Sequence, residues 1–75
     1  MDVLAKSTEQ DFTQAGTLPT GFLAGSIKNI GTTEAIVNGV PLGPGEAKGY
    51  PFVGKGYEAI DFDPVQSTLR VLQIS

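Results

Sequence analysis

Two stretches of this chain place reactive residue types at spacings that chemistry could use. Gly49-Tyr50-Pro51-Phe52-Val53-Gly54-Lys55-Gly56 matches the outline of a phosphate-cradling loop. The next position is Gly56 rather than the Ser or Thr that would hold magnesium, no helix pattern follows, and Pro51 removes one backbone donor. Asp61-Phe62-Asp63 sets two carboxylates on one face of a strand, about 7 Å apart. Calcium takes oxygen ligands, and Glu58 and Glu46 could join them, yet no ion-binding loop spacing is present. The same pair could serve as acid and base in glycoside hydrolysis, but so short a chain offers no cleft to shift their pKa values. The hydroxyl residues have no His to activate them, and Lys55 sits in a Gly-rich turn. We therefore expect no enzyme, no catalytic residue, no bound cofactor and no metal, with the acids forming a solvated face.

Composition points the same way. The chain has 75 residues with no Cys, His or Trp, which removes disulfides, thiolate metal sites and imidazole ligands. So small a domain has a marginal core, and oligomerisation is the stabilising device left to it. Five Lys and Arg against eight Asp and Glu give a formal charge of −3, with the cations scattered singly. Neither nucleic acid nor an anionic membrane surface is an expected partner. No apolar run nears membrane-helix length, and Met1-Asp2-Val3-Leu4-Ala5-Lys6 lacks the features of a signal peptide. The expected protein is soluble and made in the cytoplasm.

The elements that must position these residues read as short strands between strong turn signals. Phe22–Ile30, Glu34–Val37, Val40–Leu42, Ala47–Val53, Tyr57–Asp63 and Thr68–Ser75 are the expected strands. Asn38-Gly39 predicts a type I′ hairpin, and Gly43-Pro44-Gly45-Glu46 a type II turn. Gly54-Lys55-Gly56 is expected to close another hairpin. Ile60 and Phe62 share one face of their strand, and Leu23 and Ile27 are expected to face inward. The last strand carries Leu69 and Val71 on one face and Leu72 and Ile74 on the other, which predicts burial on both sides. Residues 1–20 show no sustained period and are expected to form an N-terminal arm laid along a neighbouring subunit, with the β-domain at 21–75. The fold class expected is all-β: an antiparallel sandwich or partial barrel of five to six strands.

The run Asn29-Ile30-Gly31-Thr32-Thr33-Glu34-Ala35-Ile36-Val37-Asn38-Gly39-Val40-Pro41-Leu42-Gly43-Pro44-Gly45-Glu46, closed by Leu69-Arg70-Val71-Leu72-Gln73-Ile74, resembles small β-sandwich structural proteins of tailed-bacteriophage particles. The resemblance covers roughly residues 22–75 and carries no active site to transfer. It implies a virion subunit that decorates a capsid, anchors a head fibre or sits at a vertex. Such a subunit binds a capsid or other virion protein and itself, as a trimer or other cyclic oligomer. Leu69, Val71, Leu72, Ile74, Tyr50 and Phe52 are the expected oligomer interface. The other reading is an adhesion or carbohydrate-binding module that stacks Tyr50 and Tyr57 on sugar rings.

Overall fold

The computed structural model describes residues 6–75. They form eight short antiparallel strands in two sheets and no helix: β1 (Ser7–Phe12), β2 (Gly16–Leu18), β3 (Ala24–Asn29), β4 (Ala35–Val37), β5 (Val40–Leu42), β6 (Ala47–Tyr50), β7 (Ile60–Asp63) and β8 (Leu69–Ile74). One sheet, called A, has the order β1-β8-β3-β6, and the other, B, the order β2-β7-β4-β5. The expected all-β class holds, with more strands than anticipated and no closed barrel.

Period-2 alternation places one row of each sheet in the core between them. Sheet A supplies Ile27, Leu69 and Val71, and sheet B supplies Leu18, Ala35, Val37, Leu42, Ile60 and Phe62. Phe22, from the segment between β2 and β3, is buried with them. Phe12 of β1 meets Phe62 of β7 edge to face at 4.9 Å, so the sheets touch through rings. Leu23, expected inward, precedes β3 and is only half-buried, while its amide donates to Ile74 O.

Turn chemistry sets the local geometry. Asn38 and Gly39 have φ of 52° and 77°, as a type I′ hairpin between β4 and β5 requires. Gly45 has φ of 80° and the Glu46 amide donates to Gly43 O at 3.0 Å, closing the type II turn. Gly54-Lys55-Gly56 does not close a hairpin. β6 pairs with β3 in sheet A while β7 pairs with β2 and β4 in sheet B, so this segment carries the chain from one sheet to the other.

The expected arm is largely structural in its own domain. β1 pairs with β8 along its whole length, from Ser7 opposite Ile74 to Phe12 opposite Leu69. β2 pairs with β7 and places Leu18 in the core at 2% exposure. Lys6 and Ser75 exchange both backbone hydrogen bonds, at 2.8 and 2.9 Å. The folded domain thus begins before residue 21. The first five residues of the expected arm, and most of the segment read for a signal peptide, lie outside the described residues.

Removing residues 1–18 would strip an edge strand from each sheet and the Leu18 side chain from the core, whose burial alone is worth about 1.5–3 kcal/mol. A fragment 19–75 is expected to lose the β signal in circular dichroism. A cooperative melt of that fragment would restore the arm reading.

Candidate functional site

The segment Pro51–Gly56, which joins β6 to the far sheet, is exposed along its whole length. Its Phe52 and Val53 are the adjacent pair among the exposed large apolar residues, at 63% and 58% exposure. The sequence fixes this shape at both ends. Pro51 supplies no ladder donor after β6, and Gly54 takes φ of 90°, open to glycine. Beyond it, the Tyr57 amide donates to Phe22 O at 2.9 Å, and Tyr57 O accepts from the Gly21 amide at 2.7 Å. The Tyr57 hydroxyl reaches back to donate to Pro51 O and ties the base of the loop together. A Cβ at Gly56 would stand 2.9 Å from Gly21 Cα, so this crossing needs glycine.

Beneath the loop lies an aromatic triad. Phe22 and Tyr57 stack at 4.9 Å, and Tyr50 meets Tyr57 and Phe22 edge to face at 5.7 and 6.1 Å. The Tyr50 hydroxyl is sealed from solvent and has no hydrogen-bond partner among the described residues. Desolvation, and then the neighbouring Tyr57, raise the Tyr50 pKa above its usual value. The two tyrosines read as sugar-stacking rings are therefore half-buried and packed on Phe22 within their own domain.

The six expected interface residues are divided by the fold. Leu69 and Val71, at 0% and 4% exposure, belong to the chain's own core and offer no surface to a neighbour. Alternation turns Leu72 and Ile74 onto the outer face of sheet A, where both are half-buried. Tyr50 is half-buried in the triad, and Phe52 projects on the loop.

The remaining outer face of sheet A is charged along one row. Asp11 faces Arg70, which faces Lys28. Arg70 donates to both Asp11 oxygens, at 2.9 and 3.3 Å, and this hydrogen bond first, then the guanidinium charge, holds the exposed Asp11 carboxyl below its ordinary pKa.

On the outer face of sheet B, Asp61, Asp63, Thr17 and Ile36 line an open depression of about 360 Å³. Asp61 accepts from the Thr17 hydroxyl at 2.8 Å, and Asp63 accepts from the Val65 amide at 2.9 Å. The Glu46 carboxylate is engaged with the Gly43 amide at 2.6 Å. Among the described residues no group of three or more His, Cys, Asp or Glu is placed to hold a metal ion. Gly49–Gly56, the phosphate-loop outline, runs from β6 into the exposed loop and leads into no helix.

Sequence reading missed Asn29, which is fully buried at the end of β3 and bonds four separate groups. The available signal was an Asn at an inward strand position. Comparison with protein-family models, curated proteins and solved structures found no match.

The unpaired Tyr50 hydroxyl gives a signed expectation. Its folded-state pKa lies above the ordinary 10.0, so the protonated tyrosine's contribution is present below that value and is lost as pH rises through the folded pKa. Tyr50→Phe removes a buried, unsatisfied donor and is expected to stabilise the domain at neutral pH by about 1 kcal/mol. It should also lessen the loss of stability above pH 10. Urea titrations at pH 7 and pH 11 measure both effects, and a destabilised variant would mean that the hydroxyl has a partner.

Proposed function

We propose that this chain is a small structural subunit that docks on a larger protein lattice and associates with its own copies, and that it is not an enzyme. The observation that carries this reading is the Phe52–Val53 pair, held out from the domain on a loop closed at its base by Tyr57. Scattered apolar side chains on a surface are ordinary, whereas adjacent ones on a fixed projection are the form that interface anchors take. Burying such a side chain on a partner contributes about 1.5–3 kcal/mol, enough for two to govern attachment. The outer faces carry a charged row on sheet A and engaged carboxylates on sheet B, and the other exposed large apolar residues, Ile30, Val40 and Val65, are not adjacent in the chain, so the loop supplies the paired apolar contact.

The resemblance of residues 22–75 to small sandwich proteins of tailed-phage particles supports a virion as the lattice, with capsid decoration, head-fibre anchoring or a vertex as the role. A trimer is the assembly that resemblance implies. The packing of Tyr50 and Tyr57 with Phe22, and the Tyr57 hydroxyl's bond to Pro51 O, weigh against the carbohydrate-binding reading.

The test is co-sedimentation. Tagged full-length chain should travel with phage particles purified from cells that produce both. Phe52→Ser with Val53→Ser replaces only exposed residues, so its circular dichroism should be unchanged while its occupancy on particles falls about tenfold or more, the loss of roughly one buried side chain. Equal occupancy by the variant, or wild-type chain that stays free of particles, would contradict the proposal.

A further inference from the structure

The two sheets end in four edges that are not alike. β5 has three residues with Pro41 in its middle, and β2 has three followed at once by Pro19. Brevity and proline are the devices that stop an edge from templating another strand. Sheet A lacks them. β1 has six residues with neither Gly nor Pro, and β6 presents Ala47 and Gly49 on its outer face. A Cβ at Gly49 would meet nothing within 4 Å, so that lane is open.

Charge decides which edges can meet. β1 carries Glu9 and Asp11 on its outer face. Two copies of β1 laid antiparallel about a two-fold axis have two registers that pair five residues with matching faces. One sets Glu9 against Glu9, and the other sets Glu9 against Asp11. Like charges directly opposite are destabilising. The outer face beside the β6 edge carries a cation instead: Lys28 lies opposite Ala47 on the neighbouring strand, while Lys48 shares the inward-facing row of Ile27.

We propose that the partner of the β1 edge is the β6 edge of a second copy of this chain, so that sheet A continues from subunit to subunit. Sheet A has four strands, all antiparallel, so β1 and β6 run in opposite directions. A second copy in the same orientation therefore meets β1 antiparallel. One register keeps both B sheets on the same side and pairs all four β6 residues within β1. It sets Ala47, Lys48, Gly49 and Tyr50 of one copy against Asp11, Gln10, Glu9 and Thr8 of the next. This register also extends the row Asp11, Arg70, Lys28, Ala47 straight into the next subunit. Lys28 of one copy then lies across the small Ala47 from Asp11 and diagonally from Glu9 of the other. Such a head-to-tail contact closes into a ring when the rotation per subunit allows it. The inference rests on the self-association in the proposed function and gives it a surface, and its test uses the isolated full-length chain, so particle docking does not enter the result.

The chain has no Cys, so single cysteines report cleanly. Glu9→Cys and Gly49→Cys occupy exposed outer positions, and facing residues of an antiparallel pair hold their Cβ atoms about 4.5–5.5 Å apart, near disulfide range. Mixed in a glutathione redox buffer, the two variants should form a disulfide-linked heterodimer about tenfold faster than either alone. Glu9→Cys that cross-links to itself as fast as the mixture would overturn the proposal, as would a mixture no faster than the single variants. Sedimentation of charge variants gives a second reading. Glu9→Lys should weaken association about fivefold, the upper range for an exposed pair, and adding Lys28→Glu should restore it. Both side chains are exposed, so folding is not at stake. Association unchanged by Glu9→Lys would count against the register.

Discussion

One buried amide ties the two sheets to the turns that join them. Asn29 is fully buried, and every hydrogen-bonding group of its side chain is used. Its Nδ2 donates to Thr33 O at 2.8 Å and to Leu42 O at 2.9 Å, while its Oδ1 accepts from the Gly31 amide at 3.0 Å and the Ser67 hydroxyl at 2.6 Å. The residue thus links the end of β3 in sheet A to the end of β5 in sheet B, the segment before β4 and the turn before β8. Its backbone adds two bonds to the Gly45-Glu46 turn, both at 2.9 Å. In a low-dielectric interior such a network is strong when complete and costly when broken. It also explains Gly31, where a Cβ would stand 2.0 Å from Ser67 Oγ and expel the hydroxyl from the cluster.

The polar hub stands at one end of β3 and the aromatic triad beyond the other, with the apolar core between them. Each end governs a different outward feature. At the triad, Tyr57 is shared between core and loop, since its ring stacks on Phe22 and its hydroxyl closes the loop that carries Phe52. At the hub, the fixed end of β3 sets the row in which Lys28 lies opposite both Arg70 and Ala47. The edges proposed for self-association therefore depend on the same interior bonds that hold the sheets together. Pairing edges would lend a small domain stability that its own core supplies only sparingly.

Local chemistry was readable in the sequence, and long-range pairing was not. The backbone of Asn38-Gly39, the type II turn and the inward Ile60 and Phe62 follow from residue types at neighbouring positions. β1 was missed because its side chains are mostly polar and its pairing partner, β8, lies at the far end of the chain. The 54–56 segment was misread for a related reason. Glycines between two apolar runs look the same whether the strands pair with each other or belong to different sheets. For β8, apolar residues on both faces are read as burial on both sides; Leu69 and Val71 are buried in the chain's own core, while Leu72 and Ile74 are only half-buried on the outer face. Phe52 was legible as an aromatic, but its exposure was not, because the expected strand Ala47–Val53 ends at Tyr50 and Phe52 lies on the loop beyond it.

The dependence of the fold on Asn29 is tested most directly by urea denaturation of Asn29→Leu, which keeps the branched shape and the number of side-chain heavy atoms and removes the polar groups. Four partners would then lack their bonds, each at a cost of about 1–3 kcal/mol, so the variant should lose most of its stability or fail to fold. A variant that unfolds cooperatively within about 1 kcal/mol of wild type, less than a single such partner is expected to cost, would show that the hub is dispensable and contradict the account.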